Sequence, residues 1–257
     1  MAQWSSVSAD IRCPTSGSER SRFLLKMMRR DPASWQAAEI IEDLLEPPVC
    51  HPVGSILVPE GARPRASLLL KAGFCAKVSH LPDGRRQFTQ LNVPGDFVDL
   101  HSLATGRMDH GVVALSECIT MAVPHRRMRD AILQDARVGD LLWLDSIIDG
   151  AMHREWLLAF GRRNAMETVS LLICELYTRL EAVELTHGGS IRMPLTQALA
   201  ADLVGLSAVH LNRIVMEMRH RGWISWCASN IDVHDLVALA NTADFDPAYL
   251  GLAATPS

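Results

Sequence analysis

The stretch LTQALAADLVGLSAVHLNRIVMEMRHRGWI, residues 195–224, places two short amphipathic segments around Gly205. Thr196 is suited to cap a first helix over residues 197–204, and Gly205 is suited to the left-handed conformation that ends a helix. Ser207 is suited to cap a second, longer helix. Two helices joined by such a short turn are typical of a helix-turn-helix.

The second helix, predicted over residues 208–221, has an apolar face and a polar start. Leu211, Ile214, Val215 and Met218 form the apolar face, and polar side chains occupy the opposite face in the first two turns. In a helix-turn-helix these two turns lie in the major groove of DNA. Two short strands, in GWISW and IDVHDL, then predict a wing around residues 227–230.

The charge distribution fits a local nucleic-acid footprint. The whole chain carries a formal net charge of −4 over 257 residues, but residues 192–222 hold four arginines and two acidic residues. The segment 229–257 has four aspartates and no lysine or arginine. Global acidity therefore does not argue against DNA, because only the charge at the contact surface matters.

The region before this motif predicts two helices followed by a barrel. Two helices are expected over residues 22–45, separated at Asp31-Pro32. Short apolar runs divided by turn residues follow from about residue 49 to 123, with a hairpin signal at Pro82-Asp83-Gly84. This pattern is typical of a compact antiparallel barrel or jelly roll.

Residues 125–160 carry no strand signal and have apolar residues at helical spacing. We expect a long helix that ends at Gly161, with residues 138–159 as a two-stranded coiled-coil seam. A core helix packed on its own barrel is the alternative. The predicted dimer interface consists of Leu141, Leu144, Ile148 and Met152.

The order of barrel, long helix and PLTQ…ADLVGLSAVHLNRIV…RGWI resembles the Crp/Fnr family of bacterial transcription regulators over roughly residues 44–250. VHLNR (209–213) and FDPAYL (245–250) are similar to motifs of one branch with VHVNR-like recognition helices. The resemblance implies an α+β chain with an N-terminal jelly-roll sensor domain of the cyclic-nucleotide-binding type, a long dimerisation helix and a C-terminal winged helix-turn-helix. It also implies a homodimer that controls promoters.

The expected organisation is a disordered N-terminus (1–21), a sensor domain with N-terminal helices (22–125), a dimerisation helix region (126–160) and a DNA-binding domain (161–257). No apolar run approaches the ~18 residues that cross a bilayer, and the first residues lack a signal-peptide pattern. We therefore expect a cytoplasmic protein without enzymatic activity. Its expected partners are double-stranded DNA, a second copy and RNA polymerase.

Within the predicted DNA interface, Arg213 is expected to contact a guanine edge, and Asn212 and His210 are expected to contact bases or phosphates. Hydroxyl, amide and helix N-terminal N–H groups around the two caps are expected to hold backbone phosphates. The predicted DNA-binding residues are Thr196, Gln197, Ser207, Val209, His210, Asn212, Arg213 and Arg219.

The signal that the barrel senses is left open by the sequence. Relatives that bind cyclic nucleotides use Gly-Glu and Arg-Ser or Arg-Thr pairs, where this chain has Val98-Asp99 and Asp109-His110. Cyclic AMP is therefore not expected to bind, and Arg107 is the alternative phosphate partner. The single N-terminal Cys13 argues against an iron–sulfur cluster, and lone histidines such as His80 do not indicate haem.

Asp99, His101, Asp109 and His110 fall within a dozen residues of one another. Imidazole and carboxylate groups suit a transition metal, and they also suit a small polar ligand. An ordinary solvated loop is the third alternative. Together with Arg107 these four residues form the predicted effector pocket.

The six cysteines lack CxxC spacing and are expected to be reduced, with a redox role for Cys75 or Cys174 as the alternative. Two other functions remain open. One is a ligand sensor that acts through protein contacts and keeps a vestigial helix-turn-helix. The other is a cupin-like barrel enzyme, although the chain lacks the His-x-His cluster of such enzymes.

Overall fold

The computed structural model describes residues 21–252. The predicted N-terminal disorder and Cys13 lie outside the described residues. Two helices open the described chain as expected: α1 (Arg22–Arg30), with Ser21 as its N-cap, and α2 (Trp35–Glu42). Asp31 separates them and caps the 3-10 turn Pro32–Ser34, because the following proline favours a fresh start.

Residues 49–124 form the predicted antiparallel jelly roll. One sheet has the order β1-β7-β3 and the other the order β2-β6-β4-β5. The predicted hairpin is confirmed, because β4 and β5 pair and the N–H of Leu81 donates to the carbonyl of Arg85 across the turn. The strands are β1 (Val49–His51), β2 (Ile56–Val58), β3 (Ala66–Ala72), β4 (Cys75–His80), β5 (Arg86–Asn92), β6 (Gly111–Ala114) and β7 (Cys118–Pro124).

A short helix, α3 (Ser102–Thr105), lies within the barrel before β6. The region after the barrel consists of two helices, of which the first, α4 (His125–Gln134), follows β7 directly. Asp135 then caps α5 (Ala136–Arg162), the longest helix among the described residues. The expected break at Gly161 is wrong: α5 continues through this glycine to Arg162, and α6 (Ala165–Ala182) begins at a capping box.

The predicted dimer interface on α5 is also wrong for three of its four residues. Leu141, Ile148 and Met152 are each 4% exposed within the protomer, and only Leu144 is exposed. Leu141 belongs to the core under the N-terminal helices. Ile148 lies against Gly251, where an added Cβ would collide with its Cδ1. The helical spacing identifies an apolar face but not what covers it, and here the protomer's own barrel and C-terminal segment cover it.

A second apolar face of α5 points away from the protomer. Its residues form two groups on one side of the helix, at positions 143–147 and 157–158, and the span from the first to the last is about 22 Å of helix. Interrupting residues between them are small or charged, such as Gly150 and Arg154. We call this surface the α5 outer face; it consists of Trp143, Leu144, Ile147, Leu157 and Leu158.

The C-terminal part combines helices with a four-stranded sheet of order β10-β11-β9-β8. A 3-10 turn, Pro247–Leu250, ends it and packs on α5. Among the described residues no single helix has the length and apolarity to span a membrane; only α7 and α8, taken together as a pair bent by 100°, pass on length and composition. The elements are β8 (Thr186–His187), β9 (Ser190–Arg192), α7 (Gln197–Leu203), α8 (Ala208–His220), β10 (Ile224–Cys227), β11 (Asn230–Val233) and α9 (Leu236–Ala243).

A buried ionic network joins these parts. Asp96, in the loop after β5, pairs with Lys26 of α1 at 3.1 Å and with Arg179 of α6 at 2.5 Å. Lys26 also reaches Asp145 of α5 at 3.0 Å, and Arg30 of α1 pairs with the same carboxylate. Each of these five side chains is less than 10% exposed. Buried charges need partners of this kind because water no longer solvates them.

The network continues to the end of the chain through Glu175. This carboxylate accepts hydrogen bonds from Arg179 at 2.9 Å, from the Trp156 indole at 3.1 Å and from the Tyr249 hydroxyl at 2.7 Å. Arg179 also donates to the carbonyl of Leu91 at 2.9 Å. Tyr249 lies within FDPAYL, so this segment is anchored to α6, and Arg179 of α6 in turn contacts β5 of the jelly roll.

We predict that Asp96→Asn destabilises the protein by about 3–5 kcal/mol, because it leaves Arg179 and Lys26 buried without their counter-charge. Urea unfolding at pH 7 measures this loss. The exposed pair of Asp83 with Arg85 provides the control: Asp83→Asn should cost less than about 1 kcal/mol. Equal losses in both variants would contradict a structural role for the network.

We also predict that the difference in stability between wild type and Asp96→Asn depends on pH. Burial alone would raise the pKa of Asp96, but the charges of Arg179 and Lys26 and the N–H of Val93 lower it to about 2. A lowered pKa in the folded state means that ionised Asp96 stabilises the fold above about pH 4. That contribution is lost as the pH falls towards 2, so the gap between wild type and Asp96→Asn should narrow over this interval.

Candidate nucleic-acid interface and sensor cleft

The predicted helix-turn-helix is present at residues 196–220. Its two helices, α7 and α8, meet at 100° around Gly205, which has φ of +68°. Thr196 accepts a hydrogen bond from the N–H of Leu199, and Ser207 accepts one from the N–H of His210, each at 3.2 Å. Each cap uses a lone pair of the hydroxyl oxygen, so the hydroxyl hydrogen stays available to a phosphate.

The start of α8 is exposed on the face opposite the core. Val209 is 83% exposed, and Asn212 and Arg213 are exposed as well. Arg213 Nη2 lies 3.1 Å from His210 Nε2. A guanidinium only donates, so this contact holds the imidazole with Nε2 as acceptor and orients the arginine along the helix.

The remaining predicted DNA contacts lie on the same side of the domain. Asn212 Nδ2 donates to Gln197 Oε1 at 3.1 Å, which ties α8 to the start of α7. Arg219 is exposed in the last turn of α8 and contacts Met216 Sδ at 3.9 Å. By contrast Arg221 pairs with Glu217 at 2.7 Å and stacks on Trp223, so it is held within the domain.

The wing is larger than predicted. β10 and β11 form the expected antiparallel pair, and Ala228 at the turn has φ of +50°. Sequence reasoning missed β8 and β9, which add two strands to this sheet. The available signal was the glycine pair between them: Gly188 and Gly189 both have positive φ, as a tight hairpin requires.

The helix-turn-helix contacts the jelly roll directly. Arg86 of β5 pairs with Asp202 of α7 at 2.7 Å, and it lies over the ring of Phe88. At the end of α5, the ring of Phe160 packs 3.9 Å from where a Cβ on Gly205 would stand. The turn of the helix-turn-helix therefore touches the long helix, and Asp202 is neutralised within the protomer.

The predicted effector pocket is assembled in part. His101 Nε2 and His110 Nδ1 lie 3.1 and 2.7 Å from the same oxygen of Asp109, and the two imidazole rings are 4.9 Å apart. Burial and the nearby Lys77 charge lower the pKa of His110 to about 4, so its ring is neutral at pH 7.

Asp99 does not join this cluster. It is 1% exposed, and its Oδ1 accepts a hydrogen bond from the N–H of Leu68 at 2.7 Å. Its Oδ2 is buried without a hydrogen-bond partner, and burial raises its pKa to about 7. The prediction failed because Asp99 lies on the segment that bridges to β3, so its side chain points into the barrel.

Arg107 lines an open cleft of about 620 Å³ beside the cluster. Its guanidinium stands 3.5 Å from where a Cβ on Gly61 would be. Glu60 and Asp109 line the same cleft, so carboxylates face any anion that enters.

Lys77 of β4 was missed by sequence reasoning. It is 2% exposed and pairs with Asp149 of α5 at 2.5 Å, while Gln90 of β5 donates to Asp149 at 2.9 Å. A lysine at an apolar strand position was the available signal, since it needs a buried counter-charge. This contact connects the barrel interior to the long helix.

The redox alternative finds no support in the structure. Cys75 and Cys174 are buried, and burial raises the pKa of both thiols, that of Cys174 to about 12. A thiol with a raised pKa carries little thiolate, which is the reactive form.

Comparison with known proteins gives two domain matches. A cyclic nucleotide-binding domain matches residues 49–135, and a Crp-like helix-turn-helix domain matches residues 166–242. The first is the class of domain that binds small ligands in a jelly roll, and the second is the winged DNA-binding module. The chain therefore carries, in this order, a segment similar to a cyclic nucleotide-binding domain and a segment similar to a Crp-like helix-turn-helix domain.

Two curated relatives are similar in sequence. The transcriptional activator protein FnrL of Cereibacter sphaeroides is 26% identical over 156 residues, which cover 60% of this chain and 62% of FnrL. The nitrogen fixation regulation protein FixK of Bradyrhizobium diazoefficiens is 26% identical over 161 residues, 60% of this chain and 64% of FixK. The chain thus matches less than two thirds of the length of either relative.

Two solved structures share the fold. FixK2 from Bradyrhizobium japonicum superposes with a TM-score of 0.68 at 21% identity and covers 76% of this chain and 96% of its own. A Crp-family transcriptional regulator from Thermus thermophilus gives 0.58 at 17% identity, covering 77% and 97%. At these identities the likeness establishes the architecture alone.

We predict that cyclic AMP does not bind at this cleft. Glu60 and Asp109 would repel the phosphate, and Arg107 is the cation that the cleft offers it. Calorimetry should show no binding up to about 1 mM nucleotide, which corresponds to about −4 kcal/mol. Micromolar binding that disappears in Arg107→Ala would overturn this and identify Arg107 as the phosphate partner.

Proposed function

We propose that the protein is a homodimeric, sequence-specific DNA-binding transcription regulator rather than an enzyme. The observation that carries the proposal is the start of α8, where Val209, Asn212 and Arg213 are exposed and His210 is half-buried beyond a capped turn. Arg213 bonds a guanine edge in the major groove, and His210 and Asn212 contact bases or phosphates.

The flanking residues hold the DNA backbone. The hydroxyls of Thr196 and Ser207, the amide of Gln197 and the guanidinium of Arg219 bind phosphates around the recognition helix. The two acidic residues near the interface do not oppose this, because Asp202 pairs with Arg86 and Glu217 pairs with Arg221. The DNA-facing surface is therefore more positive than the sequence count indicates.

A second copy covers the α5 outer face. Trp143 is 69% exposed, Ile147 50% and Leu157 72%, and together with their neighbours they form two apolar patches on one side of the helix. Apolar residues that share one side of a helix let two such helices pack side by side as a coiled-coil seam. A two-fold axis along this seam would present two α8 helices to the two halves of a palindromic site.

Two finer assignments rest on this function. The motifs VHLNR and FDPAYL support an assignment to the branch with VHVNR-like recognition helices, and the packing of FDPAYL on α5 and α6 gives the second motif a structural role. A promoter-bound regulator acts on transcription through RNA polymerase, and the proposal includes a cytoplasmic location for the protein. The predicted domain boundaries, 22–125, 126–160 and 161–257, stay part of the proposal, except that α5 extends past the second boundary to Arg162.

The test of DNA binding begins with selection of bound sites from random duplexes. The selected palindrome should bind far more tightly than a scrambled duplex, with an affinity that falls steeply as salt increases. A ligand sensor with a vestigial helix-turn-helix would select no site, and it would bind neither duplex in a salt-dependent manner.

We predict that Arg213→Ala weakens binding to the selected site by roughly 2–6 kcal/mol per dimer, because a bidentate guanine contact contributes about 1–3 kcal/mol in each half-site. Binding to scrambled DNA should change little. Arg219→Ala is the matched control, since an arginine at the far end of α8 reaches only phosphates and should weaken both duplexes alike. Equal losses for Arg213→Ala on both duplexes would show that this residue does not read a base.

We predict that Ile147→Glu combined with Leu158→Glu yields monomers that bind the palindrome much more weakly. Each glutamate would place a charge in the apolar seam without a partner. Sedimentation velocity measures the oligomeric state. Val237→Glu, at a 70% exposed position on α9, is the control and should leave the dimer intact. A double variant that still sediments as a dimer would assign the interface elsewhere.

A further inference from the structure

His101, Asp109 and His110 form a cluster of potential metal ligands outside the proposed DNA interface. One ligand atom from each residue lies within 4.8 Å of the other two. His101 directly precedes α3 and His110 directly precedes β6. The fold therefore brings together side chains from the two ends of the segment that connects them. Among the described residues, these three side chains form a group of potential metal ligands close enough together to share one ion.

The distances match the coordination shell of a small divalent cation. Zinc–nitrogen and zinc–oxygen bonds of about 2.0–2.2 Å place two tetrahedral ligands about 3.3 Å apart. His101 Nε2 already stands 3.1 Å from Asp109 Oδ1. His110 offers either ring nitrogen, and because the three ligand atoms lie within 4.8 Å of one another, side-chain rotation can bring the third ligand into place.

Two buried atoms lack the partners that buried polar atoms normally have. His101 Nε2 approaches Asp109 without the alignment of a hydrogen bond, and neither it nor His110 Nε2 has a hydrogen-bond partner. Buried polar atoms without partners are uncommon in folded proteins and call for an explanation. A bound cation would satisfy ring nitrogens of this kind.

The cluster is open on one side. The Asp109 side chain is 80% exposed, and it stands at the wall of the 620 Å³ cleft that Glu60 also lines. The cleft therefore gives a cation a route of entry. It also leaves room for water or the Glu60 carboxylate to complete a shell that begins with three protein ligands.

We propose that His101, Asp109 and His110 bind one divalent transition-metal ion per protomer. Two imidazoles and one carboxylate favour zinc, iron, cobalt or nickel over magnesium or calcium, which prefer shells of oxygen. The ion would tie the start of α3 to the start of β6. Strand β6 pairs with β4, which carries Lys77 and its contact to α5.

The test measures metal binding alone, without DNA, so it is independent of the proposed function. Full-length protein without a histidine tag is stripped with chelator and titrated with Co²⁺, whose visible absorption reports nitrogen and oxygen ligation, and with Zn²⁺ by calorimetry. We expect one ion per protomer and an increased melting temperature, because a ligand that binds only the folded state stabilises it.

The variants are His101→Ala with His110→Ala, and Asp109→Ala alone. Each should weaken Zn²⁺ binding by at least about 10–100-fold and remove the Co²⁺ absorption band. His80→Ala is the matched control, since His80 is an exposed histidine of the same domain and should bind as wild type. Asp109 is exposed, so Asp109→Ala gives a folded variant even if the double variant fails to fold.

Wild-type affinity for Zn²⁺ in Asp109→Ala and in a folded double variant would overturn the proposal. A wild-type protein that binds no Co²⁺ or Zn²⁺ above the level of the variants would also overturn it. Loss of binding in His80→Ala to the same extent would show adventitious surface coordination and contradict the assigned site.

Discussion

The buried pairing of Asp96 with Lys26 and Arg179 is the contact on which the arrangement of this protein depends. These charges come from the N-terminal helix, the barrel and the first helix of the DNA-binding domain. A charge that has left water is stable only if its partner is in place, so the network permits few relative positions of the three parts. Glu175 extends it to Trp156 and Tyr249, which adds the long helix and the C-terminal segment to the same constraint.

This constraint determines which side of α5 remains free. The inner face is occupied by the barrel, by the C-terminal turn and by Asp145, whose charge belongs to the network. The outer face keeps its large apolar side chains, with Trp143 and Leu157 the most exposed. A single helix thus serves two interfaces: one holds the protomer together, and the other is proposed to hold the dimer.

The contacts between the sensor cleft and the DNA-binding domain follow a short route. The cleft cluster adjoins β6, which pairs with β4, and Lys77 of β4 meets Asp149 of α5. The other end of α5 brings Phe160 against Gly205, at the turn between the two DNA-facing helices. The barrel is therefore connected through α5 to the turn that precedes α8, with the Arg86–Asp202 pair as a second, more exposed contact.

The sequence by itself determined the local elements, because caps, glycines and apolar spacing act within a few residues. Thr196, Gly205 and Ser207 specify the helix-turn-helix, and the short apolar runs divided by turn residues before residue 124 specify the barrel strands. The tertiary structure alone decided which face of α5 is covered, so Ile148 is buried and Ile147 exposed although both are apolar neighbours. It also decided that Asp99 points into the barrel while His101 and His110 meet Asp109. Periodicity reports that a face is apolar or polar, whereas the partner of that face comes from distant segments, and burial depends on that partner.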